Sequence, residues 1–253
     1  MLDKIKASFG VGNIHKLGDN ALLFRVTKLE HLVKVIIPHF DNYPLLTQKG
    51  GDFLLFKWII LLMSAKENLN INGLTQIINL RASLNKGLSP LLKEALPNCS
   101  PVVKSPISDI IIRHLMWLTG FIEGEGCFSI LVIKKTGSDG AKSRVNVVLE
   151  FQLVQHFRNS LLMNSLVGFL GCGKIYSYSE KSTGVYYKVR CLESIRAKII
   201  TFLDQYPLKG VKSLNYNDFK KPVTILESKG HLNPEALHEI LSLKSKMNSL
   251  REF

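Results

Sequence analysis

The middle of the chain contains two consecutive stretches in which apolar and polar side chains alternate. Residues 126–135 place Phe128, Ile130 and Val132 on one side. Residues 144–153 continue this pattern, and their apolar side consists of Val145, Val147, Leu149, Phe151 and Leu153. A period of two residues is typical of half-buried β-strands. The glycine-containing segment 137–140 between the two stretches therefore predicts a hairpin.

A second hairpin is predicted from strands at 174–179 and 185–191 around a loop at 180–184. Apolar residues at helical spacing predict the remaining elements to be helices at 160–170, 193–204 and 216–228, and a last helix that Asn233 caps ahead of Pro234. Two hairpins with helices between and after them predict an α+β fold. In this fold a four-stranded antiparallel sheet carries its helices on one face.

Another helix is predicted immediately before the first strand, over residues 118–126. Its apolar face consists of Leu118, Phe121 and Ile122. Gly120 and Gly124 lie four residues apart on a different face, where they would allow another backbone to approach closely. Glu125 falls at the end of the helix, and Gly126 follows as its stop signal. Because the carbonyl end of a helix disfavours an anion, Glu125 is a candidate metal ligand.

Charge and composition narrow the range of partners. The net charge is +13, from 33 Lys and Arg against 20 Asp and Glu, which favours a polyanionic partner, either a nucleic acid or an anionic membrane surface. The most apolar run, residues 53–63, contains Lys57 and is shorter than the roughly 20 residues that span a membrane. We therefore predict no membrane partner. The four cysteines have no zinc-site spacing and are interpreted as reduced thiols.

The sheet face opposite the helices is predicted to be polar, aromatic and basic. It consists of Ser129, Leu131, Ile133, Lys135, Arg144, Asn146, Val148, Glu150, Gln152, Tyr176, Tyr178, Tyr186, Lys188 and Arg190. Such a surface suits base edges and phosphates in a DNA major groove, which is wide enough for a β-ribbon. A solvated sheet face is the alternative, and the basic charge favours nucleic-acid binding over it.

The chain also repeats itself. The segment around Gly12 aligns with that around Gly173, and the Asp-Asn-Tyr-Pro-Leu segment at 41–45 aligns with Asp-Gln-Tyr-Pro-Leu at 204–208. Two similar domains are therefore predicted, at 1–96 and 108–253, joined by an extended, proline-containing linker at 97–107. In the first copy, a surviving hairpin would contribute a matching face of His15, Leu17, Leu23 and Arg25.

Residues 118–126 resemble the motif of LAGLIDADG homing endonucleases and intron maturases. The resemblance implies two pseudo-symmetric repeats whose motif helices pack together, so that their terminal acids meet at the scissile phosphates. It also implies that Glu125 and the backbone of Gly124 hold Mg²⁺ or another divalent cation. Lys212, and Lys49 through the repeat, match the family's basic residue near the metal. Gln152 resembles a further residue near that site.

The first copy has no counterpart of the motif helix and of the first two strands. We expect either that Met1 is an internal methionine of a longer reading frame or that the gene is a decayed remnant, and the first interpretation is preferred. The first domain is accordingly predicted to be a truncated repeat.

Three functions are considered. The leading one is a site-specific, Mg²⁺-dependent endonuclease that cuts a long asymmetric double-stranded DNA target. The second is a group I intron RNA maturase on the same fold, and the third is a DNA-binding remnant without catalysis. The presence of Glu125 together with Lys212 favours cleavage. The resemblance further implies a monomer in the full-length form and a mitochondrial, organelle-encoded protein, because the amino terminus has no transit-peptide pattern.

Overall fold

A computed structural model describes six ranges of the chain in two compact units. The ranges are residues 1–19, 21–104, 110–135, 144–177, 183–228 and 233–251. The side chains of Lys134, Lys135, Arg144 and Leu250 also lie outside the description. The units are Met1–Ile111 and Ile112–Phe253. In the part of the chain that the structure describes, no helix is both long and apolar enough to cross a lipid bilayer.

The N-terminal unit is mainly helical and contains one two-stranded sheet. Its elements are α1 (Leu2–Phe9), β1 (Asn13–Lys16), β2 (Leu22–Arg25), α2 (Leu29–His31), a π-helical segment (Leu32–Ile36), α3 (Ile37–Asn42), α4 (Lys49–Ser64), α5 (Ile71–Ser83) and α6 (Pro90–Ala95). Two small apolar clusters hold the helices. The first contains Leu32, Ile37 and Ile60, and the second contains Leu55, Ile59 and Leu80.

The proline-containing segment that was predicted as the linker belongs to the N-terminal unit and carries no helix or strand at residues 97–104. It packs on the rest of that unit through specific bonds. The backbone N–H of Ser100 donates to Asn79 Oδ1 at 3.0 Å, and Lys104 Nζ lies 2.5 Å from Asp52 Oδ1. Residues 105–109, which complete the predicted linker and begin the second predicted domain, lie outside the described residues.

The C-terminal unit is an antiparallel sheet with a helical layer. Its elements are α7 (Leu115–Glu125), β3 (Gly126–Lys135), β4 (Arg144–His156), α8 (Ser160–Leu170), β5 (Lys174–Tyr176), β6 (Gly184–Val189), α9 (Leu192–Ser194), a π-helical segment (Ile195–Ile200), α10 (Thr201–Gln205), α11 (Lys212–Lys220), α12 (Pro222–Glu227) and α13 (Pro234–Ser245). The four strands are antiparallel in the order β3-β4-β6-β5. The predicted α+β class and the four-stranded sheet are confirmed.

The structure changes several predicted boundaries. β4 continues to His156, and β6 ends at Val189, so Arg190 follows the strand. The predicted helix at 216–228 instead begins at Lys212, and Pro222 starts a separate segment, because proline lacks the N–H that a continuing helix needs. The predicted cap of the last helix is confirmed, since Asn233 Oδ1 accepts the N–H of Glu235 at 3.0 Å. The loop of the first hairpin lies outside the described residues, as do residues 178–182 with Tyr178, whereas Gly184, predicted in the second loop, is the first residue of β6.

The core of the C-terminal unit forms where the predicted apolar face of the sheet meets α7 and α11. Leu118 and Ile122 of α7 are buried together with Phe128 of β3. The Phe128 ring packs 5.3 Å from that of Phe151 and 5.2 Å from that of Phe219, measured between ring centroids. Helix α7 is therefore held against one end of the sheet, and this contact fixes where its last residues emerge.

The two units share unusual backbone conformations at the positions that the repeat aligns. Gly12 has φ 88°, and Gly173 has φ 86°. A Cβ at Gly12 would lie 2.7 Å from the Phe24 ring, and one at Gly173 would lie 2.5 Å from the Tyr187 ring. Glycine is therefore required twice over at each position, by the left-handed backbone and by the neighbouring ring.

Candidate active site and nucleic-acid interface

Helix α7 ends at Glu125 with Gly126 directly after it, as predicted, but Gly126 does not take the left-handed conformation that is common at helix ends. Gly126 has φ −73° and ψ 145°, which is extended rather than left-handed, and its N–H bonds to the carbonyl of Ile122. A Cβ at Gly126 would lie 2.6 Å from Ile122 O. The glycine is therefore needed for close approach to the last helical turn, and it allows the chain to pass directly from the helix into β3.

The expectation that Gly120 and Gly124 allow another backbone to approach stays a prediction, because the second motif helix that would approach them has no counterpart in this sequence. A Cβ at either glycine would meet no described atom within 4 Å. Both glycines are exposed, because the helical period places them on the side opposite the buried Leu118 and Ile122. Together with the exposed Met116, they form a smooth, open stripe along α7.

The end of α7 brings an acid, a carbonyl and an ammonium group together. Lys212 Nζ donates a hydrogen bond to the carbonyl oxygen of Gly124 at 3.2 Å. The next residue, Glu125, is the last of the helix and is exposed. Because the carbonyl end of a helix carries partial negative charge, it attracts the Lys212 ammonium group. Three of the residues that the resemblance implicated, Gly124, Glu125 and Lys212, thus lie at one corner of the unit.

Two effects shift the pKa of the Lys212 ammonium group in opposite directions. Burial lowers the pKa of its ammonium group below the ordinary value, while Glu123, Cys127 and Glu125 each act to raise it. Burial dominates, because the half-buried nitrogen has lost part of its contact with water. The side chain is therefore a partly desolvated cation next to the end of the motif helix.

Sequence reasoning missed two residues that hold this corner together. Glu123 Oε2 accepts the backbone N–H of Lys209 at 3.0 Å. Thr119 is buried, and its Oγ1 donates to the carbonyl of Tyr206 at 3.0 Å. These bonds attach Tyr206 and Lys209 to α7. The signal available in the sequence was that Thr119 and Glu123 are polar and lie four residues apart, on the same side of the helix.

Gln152 lies in a polar row that crosses the sheet from the end of α7. The strand register places Gln152 opposite Cys127 of β3 and opposite Lys188 of β6, and it places Lys188 opposite Lys174 of β5. Directly opposite residues of antiparallel strands point to the same face. Gln152 therefore pairs with Cys127, the second residue of β3, and lies close to the end of α7.

The same register brings the predicted interface residues of the C-terminal unit to one face. The opposed pairs are Ser129 with Glu150, Leu131 with Val148, Ile133 with Asn146, Lys135 with Arg144, and Tyr176 with Tyr186. The side chains of Lys135 and Arg144 lie outside the description. The predicted grouping of residues is reproduced, and this face lies opposite the side that buries Phe128, Phe151 and Tyr187.

Two side chains of this face are not open to solvent as predicted. Glu150 and Lys188 are both buried, and Lys188 Nζ lies 3.4 Å from Glu150 Oε1. The other oxygen, Oε2, lies 2.5 Å from Arg190 Nε, and the Arg190 side chain is half exposed. A buried carboxylate is strongly unfavourable without cationic partners, so these three side chains form a compact cluster.

In the N-terminal unit the predicted hairpin forms, with His15 opposite Leu23 and Asn13 opposite Arg25. Leu17 continues the pairing through its N–H, which donates to Ala21 O at 2.8 Å. His15 and Arg25 are exposed. The hairpin therefore presents the four predicted residues, His15, Leu17, Leu23 and Arg25, on a common face.

Lys49 is the first residue of α4, as Lys212 is the first residue of α11. Lys49 is exposed, and its backbone N–H lies 3.3 Å from Thr47 Oγ1. The repeat therefore places the two lysines at equivalent positions of their own units. A role for Lys49 in chemistry stays a prediction.

Few groups at the end of α7 could coordinate a metal ion. Among the described residues, no three His, Cys, Asp or Glu side chains cluster in a way that could hold a metal ion. One exposed carboxylate and one backbone carbonyl suit a hard cation that keeps several water ligands and also binds substrate phosphates, as Mg²⁺ does. They do not suit zinc, which takes nitrogen and sulfur ligands in a closed shell.

Comparison with known proteins gives consistent results. The family model described as LAGLIDADG endonuclease matches residues 1–60 and 118–223. Probable intron-encoded endonuclease 2 of Neurospora crassa is 35% identical over 248 residues, which cover 94% of this chain and 52% of that protein. Probable intron-encoded endonuclease Cox1-I1b of Schizosaccharomyces pombe is 30% identical, covering 84% of this chain and 50% of that protein. The chain thus spans about half the length of these curated relatives.

Two solved proteins have closely similar structures. The I-SmaMI LAGLIDADG homing endonuclease bound to cleaved DNA is 41% identical with a TM-score of 0.92, covering 99% of this chain and 83% of that one. A second structure shows I-SmaMI bound to its uncleaved DNA target in the presence of calcium ions. The homing endonuclease I-GzeII in complex with its DNA target is 36% identical with a TM-score of 0.88, covering 99% and 84%.

Proposed function

The chain belongs to the LAGLIDADG endonuclease family, and we propose that it is a site-specific homing endonuclease that hydrolyses phosphodiester bonds of double-stranded DNA. The observation that carries this proposal is the corner at the end of α7, where Lys212 Nζ bonds the Gly124 carbonyl beside Glu125. It unites a candidate metal-binding acid with a cation that can stabilise a phosphate. The similarity to DNA-bound I-SmaMI supports the same function.

Glu125 and the Gly124 carbonyl are the residues that would hold a divalent cation, most simply Mg²⁺. When bound, such an ion polarises the scissile phosphate and lowers the pKa of a coordinated water. Glu125 supplies the negative charge of the site and is exposed, so a phosphate can reach it. The presence of calcium in an I-SmaMI complex with uncleaved DNA supports a divalent-cation requirement.

Lys212 is proposed to stabilise the negative charge on the phosphate oxygens in the transition state. Its ammonium group is already anchored by the Gly124 carbonyl, and a pre-oriented cation needs little reorganisation during the reaction. Gln152, in the polar row that starts at Cys127, is proposed to orient water or phosphate near the same corner. Lys49 is proposed to play the role of Lys212 in the other repeat.

The open sheet face of the C-terminal unit and the hairpin of the N-terminal unit are proposed to contact DNA in the major groove. The two surfaces differ in their residues, since one carries tyrosines and lysines and the other carries His15 and Arg25. We therefore propose a target without two-fold symmetry, bound by a single copy of the protein. The intron-encoded fungal relatives support a mitochondrial, organelle-encoded origin.

The proposal is tested by cleavage and binding with one variant pair. A target is first selected from a randomised duplex DNA library in Ca²⁺ and then placed in a plasmid for cleavage in Mg²⁺. We expect the wild type to linearise the plasmid. Glu125→Gln should abolish cleavage while binding the target with unchanged affinity. Lys212→Met should lower the cleavage rate by about 10²- to 10³-fold, as expected for loss of one charge-stabilising group.

Glu239→Gln is the matched control, because Glu239 is an exposed acid on α13. This variant should cleave like the wild type. A wild-type protein that selects no DNA, or a Glu125→Gln variant that cleaves normally, would refute the proposal. Splicing of a group I intron that requires the protein and survives Glu125→Gln would instead assign it as a maturase.

A further inference from the structure

The cluster of Glu150, Lys188 and Arg190 occupies the middle of the sheet face that is proposed to contact DNA. Its carboxylate is buried, and both of its oxygens are engaged, Oε1 with Lys188 Nζ and Oε2 with Arg190 Nε. Lys188 Nζ also lies 5.5 Å from the centroid of the Tyr186 ring. The cluster is a fixed arrangement rather than a set of independent surface charges, and each member can have a different role.

Glu150 is poorly suited to contact DNA directly. In the major groove a carboxylate can read a base only by accepting a hydrogen bond from an amino group, N4 of cytosine or N6 of adenine, and both oxygens of Glu150 already accept from cations. An exposed carboxylate would also repel the phosphates, whereas this one is buried. Its available function is therefore to hold its two cationic neighbours.

Arg190 has the opposite properties. Its Nε is bonded to Glu150 at 2.5 Å, while half of its side chain is exposed at the end of β6. A guanidinium group is planar and rigid, so a bond at Nε fixes the plane in which the two terminal nitrogens lie. A guanidinium presented in this way matches the O6 and N7 acceptors of guanine, which is the commonest specific arginine contact in the major groove.

We propose that Arg190 recognises a guanine of the DNA target and that Glu150 is the positioning residue that orients its guanidinium group. This inference rests on the proposed function, because it assumes that the open face of the sheet enters the major groove. It assigns different roles to two of the predicted interface residues: Arg190 contacts a base, and Glu150 orients Arg190. Phosphate contacts alone would give no base preference.

The test compares base preferences rather than affinity alone. Wild type, Arg190→Lys and Glu150→Gln are each used to select from the same randomised duplex DNA library in Ca²⁺. Lysine keeps the charge but cannot form a two-pronged contact. For Arg190→Lys we expect one guanine position of the wild-type site to lose about 5- to 150-fold of its discrimination, with the other positions unchanged. Glu150→Gln should weaken the preference at that same position.

A matched pair of control variants is available in the helical layer. Arg196 Nε lies 2.9 Å from Glu227 Oε1, and both side chains are substantially exposed. Arg196→Lys and Glu227→Gln repeat the same chemical changes away from the open face, and the selected site should be identical to that of the wild type. Thermal melting of all variants shows whether a changed profile comes from lost folding.

Each outcome has a distinct meaning. If Arg190→Lys selects the same bases as the wild type at every position, the inference is overturned. If Glu150→Gln changes a preference that Arg190→Lys retains, Glu150 itself reads a base and the assigned roles are wrong. If the wild type selects no sequence at all, it is the proposed function that fails, independently of Arg190.

Discussion

Glu123 accepts the backbone N–H of Lys209 at 3.0 Å. This bond connects the motif helix α7 to the loop that precedes Lys212, the first residue of α11. Glu123 and Lys209 are 86 positions apart in sequence, yet they set the distance between the helix end and the candidate catalytic lysine. Thr119 supports the same loop one helical turn earlier through the Tyr206 carbonyl. Glu123 is thus a positioning residue whose effect on cleavage would be transmitted through Lys212.

The first prediction follows from this bond. Glu123→Ala removes the acceptor, whereas Glu123→Gln keeps an oxygen at the same place. Loss of one such bond is worth about 1 kcal/mol, so we expect Glu123→Ala to lower the single-turnover cleavage rate about fivefold at saturating protein, with unchanged DNA affinity in Ca²⁺. Glu123→Gln should retain most of the rate. Equal losses in both variants would show that the charge, and not the hydrogen bond, matters.

The sequence predicted the strands, the core face and the motif helix well, because these depend on local periodicity. The inward positions of β4, such as Leu149 and Phe151, are buried as expected. Contacts between distant residues could not be predicted in this way. The bond from Arg190 to Glu150 depends on the register of β4 against β6, and the bond from Lys209 to Glu123 depends on how a loop packs on α7. Alternation also assigned Glu150 to an open face without showing that its neighbours bury it.

The second prediction concerns pH. Burial acts to raise the pKa of Asp218, but hydrogen bonds from Lys221 and Arg251 outweigh it and hold this pKa below the ordinary value. Arg251 Nη2 lies 2.5 Å from Asp218 Oδ2, and both side chains are largely buried. The carboxylate therefore contributes stability that is fully present above its unfolded pKa of about 3.9 and is lost as pH falls through the lower folded value.

Asp218→Asn should accordingly lower the free energy of unfolding by about 1.5–3 kcal/mol at neutral pH. The difference from the wild type should shrink progressively below about pH 4. Urea unfolding at a series of pH values measures both quantities. A destabilisation that stays constant down to low pH would show that packing, rather than the ion pair, is what the substitution removes.

The third prediction uses two left-handed glycines of one turn. A Cβ at Gly173 would lie 2.5 Å from the Tyr187 ring, whereas one at Gly171 would find its nearest atom, Lys198 Nζ, at 4.0 Å. Gly171→Ala should therefore cost only the left-handed backbone penalty of about 1–2 kcal/mol. Gly173→Ala adds overpacking of about 1–3 kcal/mol. Denaturant unfolding compares the two directly, and equal losses would contradict the role assigned to the Tyr187 ring.

The fourth prediction concerns salt. With a net charge of +13, DNA binding should weaken by about 10³-fold or more between about 50 and 200 mM salt if about six or more phosphates are contacted. The slope of log affinity against log salt then counts the contacting cations. Lys174 is exposed and opposite Lys188 on the open face, so Lys174→Ala should reduce this slope by about one.

Lys198→Ala is the matched control for that slope, because Lys198 is an exposed lysine of the π-helical segment Ile195–Ile200 in the helical layer. Its removal lowers the net charge equally but takes no cation from the proposed interface, so the slope should stay unchanged. Equal effects of the two variants would mean that DNA responds to the overall charge of the protein. A smaller slope for Lys174→Ala alone would identify the open face of the sheet as the surface that contacts the phosphates.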